Sequence, residues 1–366
     1  MTLKFPAMAG VALLCALPFT SQAAAPCYPA SDDAPLEKEL VLSSMGGTFW
    51  EAFRDAYVTP FEQACGVRVK LVVTPQHGFG QLRGYVRRGT VPFDLTYTAV
   101  PWEIAQARDE RLIDPLPVDF WQPIADTLLP GSYNQEGTWL TAYAEALAYN
   151  TQVFPEGLHS WAQFWDTARY PGARTLYDHP FSLIVALLAD GVAPDALYPI
   201  DDGKLKRAFA KLDQLRPSIR SFWTGGGDEP VQGIARGDFV AGVVQTGRAL
   251  AGQRAGYPIG VSWQQHIANQ AWLFRPKGAA HPRAAAALMY FMNDPQRQAQ
   301  FAKRTGYGGA PHDSERYLDA EQASHLTTSA ANRVQAVPID LPWWQANGAR
   351  TQQLWQQWVA TGKVPL

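Results

Sequence analysis

The amino-acid sequence predicts an α/β protein built as two lobes, and three observations support this. Apolar runs of strand length alternate along the chain with amphipathic runs of helix length, an order typical of parallel α/β sheets. The 366 residues suffice for two domains. With 47% apolar and 17% charged residues, the composition is that of an ordinary soluble globular protein. A net charge of −2 offers no basic excess, so we expect no nucleic-acid partner.

The first lobe is predicted to open with a buried strand that leads into a helix. The apolar run at 39–44 predicts the strand, and apolar residues at helical spacing predict the helix over 48–65. Thr48 is the predicted N-cap and Gly66 the C-terminal stop. Pro60 lies inside this helix, so we expect a kink or a division there.

The rest of the chain continues the alternation. Further strands are predicted at 67–73, 94–99, 141–151, 174–179, 239–245, 257–263 and 269–276. Further helices are predicted near 79–89, after residue 101, and within 160–172, 180–190, 200–217, 246–252 and 282–307, the last divided around residues 293–295. The strands at 141–151 and 269–276 are the expected connections between the two lobes.

Residues 1–24 have the features of a signal peptide. Lys4 provides the positive start, an apolar run follows it, and cleavage is expected near Ala23–Ala25. Cys15 raises a lipoprotein alternative, but lipid attachment requires a small residue before the cysteine and Leu14 stands there. No later apolar run reaches the roughly 20 residues of a membrane span. We therefore expect export to the periplasm.

Two cysteines, Cys27 and Cys65, remain after the signal peptide. An even pair in an oxidising compartment predicts a disulfide, with two free thiols as the alternative. The seven His residues are scattered without metal-ligand spacing. We therefore expect no zinc or other metal site.

No catalytic fingerprint accompanies the predicted strand ends, where ligands of open α/β sheets lie. The sequence contains neither G-x-S-x-G nor G-x-x-x-x-G-K-[ST]. An exported α/β hydrolase, assembled from scattered residues, stays an alternative. The 13 Trp, 14 Tyr and 17 Phe are enough either to fill a large core or to line an aromatic ligand cleft.

Several segments, in order, resemble one known family. They include "GGTFWEAFRDAYVTPFEQACGVRV", "FDLTYTAVPWEIAQARDERLIDPL", "HSWAQFWDTARYPGARTLYD", "GIARGDFVAGVVQTGRALAGQRAGYPIGVSW" and "WLFRPKGAAHPRAAAALMYFMNDPQRQAQFAKRTGYGGAP". From about Leu40 to about Trp358 the chain resembles the periplasmic solute-binding proteins of ABC importers. The closest resemblance is to the spermidine/putrescine-binding family in its broad sense.

The resemblance implies a class II, two-lobed periplasmic-binding-protein fold of the Venus-flytrap type, with two hinge strands. Lobe 1 would comprise 25–140 and 275–320, and lobe 2 would comprise 141–274 and 321–366, with the C-terminal helices in lobe 2 or spanning both lobes. The implied partners are a small-molecule solute and an ABC permease in the inner membrane. The protein is expected to be a monomer without cofactor or enzymatic activity. Paired tyrosines of related iron binders are missing, which disfavours iron as the ligand.

The predicted strand ends and the resemblance to the solute-binding family together give a set of candidate ligand-binding residues. These are Met45, Gly46, Gly47, Thr48, Trp102, Glu145, Asp178, Gln245, Arg248, Trp272, Tyr307 and Gln345. Two positions at which a polyamine binder would carry acids hold Phe181 and Ala271 instead. Because an unpaired buried ammonium is costly, putrescine or spermidine is only the runner-up ligand. The preferred ligand is an amine-containing zwitterion or an organic anion.

Within this set, Arg248 and the loop 46–48 are expected to bind the acidic end of the ligand. Asp178 or Glu145, with aromatic side chains, would bind the amine. Structural alternatives stay open for each. Arg248 would otherwise form a salt bridge, Asp178 would cap a helix, Tyr307 would occupy a turn, and Glu145 would form a hydrogen bond in the hinge.

Overall fold

The computed structural model describes residues 27–29, 34–74, 79–224, 227–337 and 339–366. Its strands are β1 (Glu39–Ser44), β2 (Arg68–Val73), β3 (Thr96–Thr98), β4 (Gly137–Asn150), β5 (Arg174–Tyr177), β6 (Ile219–Trp223), β7 (Ala241–Gln245) and β8 (Ile259–Phe274). Its α-helices are α1 (Gly47–Phe53), α2 (Thr59–Cys65), α3 (Phe79–Arg88), α4 (Glu103–Asp109), α5 (Trp161–Trp165), α6 (Phe181–Ala189), α7 (Asp202–Leu215), α8 (Asp228–Arg236), α9 (Thr246–Arg254), α10 (Pro282–Phe291), α11 (Pro295–Thr305), α12 (Ala320–Ser324), α13 (Ala330–Arg333) and α14 (Leu341–Thr361). The predicted α/β class is confirmed.

The first helical segment is divided before Pro60. Gly46, not the predicted Thr48, occupies the N-cap position of α1, because the chain already turns helical at residue 47. A π-helical turn at Arg54–Val58 joins α1 to α2. Pro60, in the first turn of α2, has no N–H to donate to the carbonyl four residues earlier, which is consistent with the wider turn before it. Gly66 ends α2 with φ 65°, the predicted left-handed stop.

The main sheet is mixed rather than purely parallel. Its strand order is β3-β8-β4-β7-β5-β6, and β8 pairs antiparallel with β3 and β4 while β5 pairs parallel with β6 and β7. The pair β1-β2 is parallel and reaches β3 through a hydrogen bond of 2.8 Å from the Ser43 N–H to the Leu95 carbonyl. The all-parallel expectation fails because β4 and β8, the two long strands, cross the molecule in opposite directions.

β8 is one strand where the sequence predicted separate strands at 257–263 and 269–276. Its pairing with β4 is irregular midway, and the partners on β8 jump from Ile267 to Ser262. Within that jump Gln265 takes a positive φ of 54°. Such a bulge bends a strand without ending it, so β8 continues between the two halves of the molecule.

The apolar core consists of separate clusters on the two sides of these crossing strands. One side packs α1, α2, α10 and α11 around residues such as Phe53 and Phe301, with Phe79 and Phe274 in an adjoining cluster. The other side packs α6, α7 and α14 around Leu187 and neighbouring apolar residues. Two cores joined by two strands are consistent with the two-lobed fold, while the lobe boundaries given above stay a prediction.

The C-terminal helix α14 is fixed to the second core by indole hydrogen bonds. Trp355 Nε1 donates to Asp178 Oδ1 at 2.8 Å, and Trp358 Nε1 donates to Asp213 Oδ1 at 2.7 Å. Both indoles are buried. α14 therefore packs on the lobe that carries β5.

Cys27 and Cys65 form the predicted disulfide, with their Cα atoms 5.7 Å apart. It ties the start of the described chain to the end of α2. The predicted signal peptide and Cys15 lie outside the described residues. Within the described part of the chain, no helix is both long and apolar enough to cross a membrane.

Candidate functional site

A cavity of about 340 Å³ lies where the two lobes meet. Both lobes and both long strands contribute to its wall. The lining residues are Met45, Phe49, Tyr97, Thr98, Ala99, Val100, Trp102, Glu103, Thr141, Tyr143, Tyr177, His179, Phe181, Gln245, Arg248, Asn269, Ala271 and Tyr307. This volume is within the range of small-molecule sites, and seven of the 18 lining residues are Phe, Tyr or Trp while seven others carry polar or charged side chains.

The floor of the cavity is formed by alternate residues of the two long strands. Tyr143 of β4 and Asn269 of β8 face it and are joined by a hydrogen bond of 3.0 Å from Asn269 Nδ2 to the Tyr143 hydroxyl. Ala271 faces the cavity too, so its neighbour Trp272 points to the opposite side of the strand. Trp272 is buried in the apolar cluster that contains Phe274. The candidate Trp272 thus lies behind the site, not in it.

Trp102 forms an aromatic wall that bridges the lobes. It precedes α4 in the first lobe, yet it stacks on Trp344 of α14 with ring centroids 5.5 Å apart. It also meets Phe181 edge-on at 5.6 Å and His179 at 6.2 Å. Burial lowers the pKa of His179 to about 3, so this imidazole is neutral at physiological pH. The wall therefore contributes surface without adding charge.

Tyr307 closes the other side of the cavity. Its ring lies 6.3 Å from that of Phe49 and 6.4 Å from that of Tyr143. A side chain at position 247 would collide with it, because an added Cβ there would lie 2.4 Å from a Tyr307 ring carbon. Gly247 therefore permits the close approach of α9 to Tyr307, as a packing glycine rather than a turn glycine.

Arg248 contributes the one guanidinium group among the described residues that line the cavity. It lies in the first turn of α9, after Gln245, which also lines the site. Arg248 Nη1 is 3.5 Å from Asp228 Oδ1, a partner whose side chain is 61% exposed. Its Nε is buried and has no hydrogen-bond partner among the described residues. The predicted alternative, a salt bridge, is thus present, but it leaves part of the guanidinium unpaired.

Glu145 lies on the same face of β4 as Thr141 and Tyr143, although it does not line the cavity. It is 1% exposed, and its Oε2 has no partner among the described residues. Burial raises the pKa of Glu145 to about 8, and hydrogen bonding from its own backbone and from Asn269 opposes this only weakly. Glu145 is therefore a mostly protonated carboxyl in the hinge strand, beside the floor of the cavity and not part of its wall.

Glu103 is a lining residue that sequence reasoning missed. It is the first residue of α4, and its Oε2 accepts a hydrogen bond of 3.2 Å from Thr98 Oγ1. Burial raises the pKa of the Glu103 carboxyl, while Thr98 and the charge of Arg83 lower it. Its position directly after Trp102, in the connection that follows β3, was the available signal, since strand ends were expected to carry the site.

Other sequence candidates lie outside the cavity wall. Asp178 is occupied by its hydrogen bond to Trp355 and caps no helix, since Pro180 holds the N-cap position of α6. Gln345 is exposed on α14. Of the first loop, Met45 lines the cavity, whereas Gly46, Gly47 and Thr48 do not. The candidates brought together by the structure are Met45, Trp102, Gln245, Arg248 and Tyr307.

The donor set favours an organic solute over a metal. Among the described residues, no group of three or more His, Cys, Asp or Glu side chains is placed to hold a metal ion. The wall instead offers aromatic faces, amides and hydroxyls, with one guanidinium and one carboxylate. Such a wall can bind a small polar molecule through charge-assisted hydrogen bonds and ring contacts.

Comparison with known proteins gives three consistent similarities. The family model "Bacterial extracellular solute-binding protein" matches residues 56–328. A γ-aminobutyric acid-binding protein of Pseudomonas aeruginosa is 30% identical over 329 residues, covering 88% of this chain and 91% of that protein. The solved structure of an ABC transporter substrate-binding protein from Bradyrhizobium japonicum USDA 110 matches with a TM-score of 0.80 and 26% identity, over 88% of this chain and 99% of that one.

A further similar structure contains a ligand. The binding protein AgtB from A. tumefaciens R10, solved in complex with agropinic acid, matches with a TM-score of 0.73 and 27% identity. The match covers 89% of this chain and 100% of that chain.

Proposed function

Because this chain belongs to the bacterial extracellular solute-binding proteins and is the solute-binding component of an ABC transporter, we propose that it captures an amino-acid-like zwitterion. The sequence resemblance to ABC-importer binding proteins is thereby confirmed. The family and its relatives do not support the narrower resemblance to polyamine binders. The proposed ligand carries a carboxylate and an amine, with γ-aminobutyrate as the first compound to test.

Arg248 is the observation that carries this proposal. A guanidinium in a cavity wall, whose one carboxylate partner among the described residues is exposed and 3.5 Å away, retains donors for a second anion. Its fork geometry suits a carboxylate, which it can bind through two parallel hydrogen bonds. The names of two relatives support the same chemistry, since γ-aminobutyric acid and agropinic acid are both acids.

The charges of the wall disfavour a polyamine. Arg248 would repel a polycation, and Glu103 is the one carboxylate in the described lining. Asp178, the acid that matched a polyamine contact, is held by Trp355 instead. A second or third ammonium group would therefore enter the cavity without a counter-charge, which is unfavourable in a desolvated site.

Calorimetric titration of the purified mature protein with γ-aminobutyrate, butyrate and putrescine tests the proposal. We expect γ-aminobutyrate to bind and Arg248→Ala to weaken it by 30-fold or more, since a charged hydrogen-bonded partner contributes about 2 kcal/mol or more. Arg248→Lys should restore part of the affinity. Arg236→Ala is the control, because Arg236 is exposed on α8 and pairs with Asp238.

Unchanged affinity of Arg248→Ala for γ-aminobutyrate would refute the carboxylate assignment. Tight putrescine binding, retained or improved by Arg248→Ala, would favour the polyamine alternative. Thermal unfolding with and without ligand gives an independent readout, because a ligand of the native state raises the unfolding temperature.

The proposal includes a periplasmic monomer that releases its ligand unchanged to the permease. Export would be shown by recovery of the mature chain, starting near residue 25, from the periplasmic fraction. Light scattering of the purified protein should give the mass of one chain. Proton NMR of γ-aminobutyrate after long incubation should show no product. A new product would favour the hydrolase alternative.

A further inference from the structure

The cavity wall carries one charge of each sign, and the two come from different lobes. Arg248 is on α9, whose Ala249 packs in a cluster with Val231 and Phe239. Glu103 is on α4, whose Ile104 packs in a separate cluster with residues of α3 and β8. Both side chains line the cavity. Opposite charges therefore face the same space from opposite sides of the hinge.

Glu103 is available to a ligand. Its one hydrogen-bond donor among the described residues is the Thr98 hydroxyl, a neutral group. Arg83, whose charge lowers the pKa of Glu103, is already engaged by both oxygens of Glu110. Burial raises the pKa of the Glu103 carboxyl, so its charged form is only partly compensated by the protein groups around it. A cationic group of the ligand would supply that compensation.

The two other carboxylates near the site are less suited to a direct contact. Asp178 accepts from Trp355 and lies outside the wall. Glu145 is buried beside the floor and does not line the cavity. The lining residues Tyr143 and Asn269 are joined by a hydrogen bond, which fixes the floor next to Glu145.

From this geometry we propose that Glu103 is the specificity-determining residue for the amine, so that the ligand spans the cleft from Glu103 in lobe 1 to Arg248 in lobe 2. The inference rests on the proposed function, since it assigns the second pole of the same ligand. Trp102, adjacent to Glu103, supplies a ring face beside that pole, and aromatic faces attract ammonium groups. Selection against plain carboxylic acids then depends on Glu103.

The test compares γ-aminobutyrate with butyrate, which lacks only the amine, on four proteins. Wild type should bind γ-aminobutyrate more tightly than butyrate. Glu103→Gln should lower the affinity for γ-aminobutyrate by tenfold or more, because the neutral amide loses the ammonium contact. The affinity of this variant for butyrate should stay within about twofold of the wild-type value. Glu145→Gln should leave the ratio of the two affinities near that of wild type. Glu51→Gln is the control, since Glu51 is an exposed carboxylate on α1 in the same lobe.

Three results would overturn the inference. The first is an unchanged affinity of Glu103→Gln for γ-aminobutyrate, and the second is an equal loss of affinity for both ligands in that variant. The third is a loss of affinity for γ-aminobutyrate alone in Glu145→Gln. A second variant, Glu103→Lys, should bind glutarate in preference to γ-aminobutyrate, because the ligand pole and the protein pole are then both reversed. If Arg248→Ala weakens γ-aminobutyrate binding by 30-fold or more while Glu103→Gln leaves it unchanged, the proposed function stands and this inference fails. If wild type binds none of these ligands, the proposed function fails.

Discussion

Replacement of Glu145 by Gln is expected to stabilise the ligand-free protein, by an amount that grows with pH. Glu145 is 1% exposed, and burial raises its pKa from 4.5 to about 8. Between these two values the folded state keeps the proton and the unfolded state loses it. The native protein therefore binds more protons than the unfolded chain, and its stability falls as pH rises. Gln has a similar shape and does not titrate.

The linkage gives the size of the effect. Each pH unit between the two pKa values lowers wild-type stability by about 1.4 kcal/mol relative to a variant that does not titrate. From pH 5 to pH 7 the stability difference between Glu145→Gln and wild type should thus grow by about 2.5 kcal/mol. The groups that face Glu145 are Tyr143 and Tyr177, and burial keeps the pKa of both above 10, outside this window.

Urea unfolding at 25 °C, followed by tryptophan fluorescence at pH 5, 6 and 7, measures this difference. The pH-dependent part isolates Glu145, because every other titrating group is common to both proteins. Glu51→Gln, at an exposed site, should show a constant offset from wild type. A constant offset for Glu145→Gln as well would refute the reasoning, since it would mean that Glu145 has an ordinary pKa in the folded protein.

Three further outcomes are expected. Cys65→Ser removes a disulfide that spans 38 residues, which should lower the free energy of unfolding by about 4 kcal/mol on the chain-entropy model. Urea unfolding measures this loss, and wild type with its disulfide reduced should be as stable as the variant. Trp102→Ala removes the ring stack between the lobes and should lower the affinity for γ-aminobutyrate about tenfold, as measured by calorimetry. An unchanged affinity would contradict the role of Trp102 in the wall. Gly247→Ala forces Tyr307 to move and should weaken ligand binding. Gly80→Ala, where no atom lies within 4 Å of the added Cβ, should leave ligand binding unchanged.

Local patterns in the sequence predicted most of the elements because their signals are local. The division between α10 and α11 follows from Asp294, whose side chain caps α11, and from Pro295 behind it. Gly66 ends α2 as its left-handed backbone requires. By contrast, the continuity of β8 depends on pairing with β4, more than 100 residues away, and its middle residues Gln264 and Gln265 resemble a loop. Pairing over such distances leaves no local trace.

The sequence candidates agree less well with the cavity wall, and some of them lie one residue away from a lining position. The sequence pointed to Asp178 and Trp272, whereas the cavity is lined by their neighbours His179 and Ala271. Ala271 and Trp272 are successive residues of β8 and face opposite sides, so a shift of one position there exchanges the cavity wall for the apolar core. Arg248 lines the cavity, as the sequence predicted from its place three residues after the end of β7. Glu103 was missed because the resemblance carried no acid to that position.

The proposed binding mode connects affinity with closure of the lobes. A ligand shifts an open–closed equilibrium only by its differential affinity for the closed state, and a change from 1:99 to 99:1 requires about 5.5 kcal/mol. Hydrogen bonds to charged groups contribute about 1.5–3 kcal/mol each. Arg248 and Glu103 together can therefore supply most of the required difference, but only when both are engaged. A ligand with one charged group, such as butyrate, supplies about half of the required difference in free energy and leaves a large fraction of the protein in the open state. The charge pair would therefore select ligands at closure of the lobes as well as at binding.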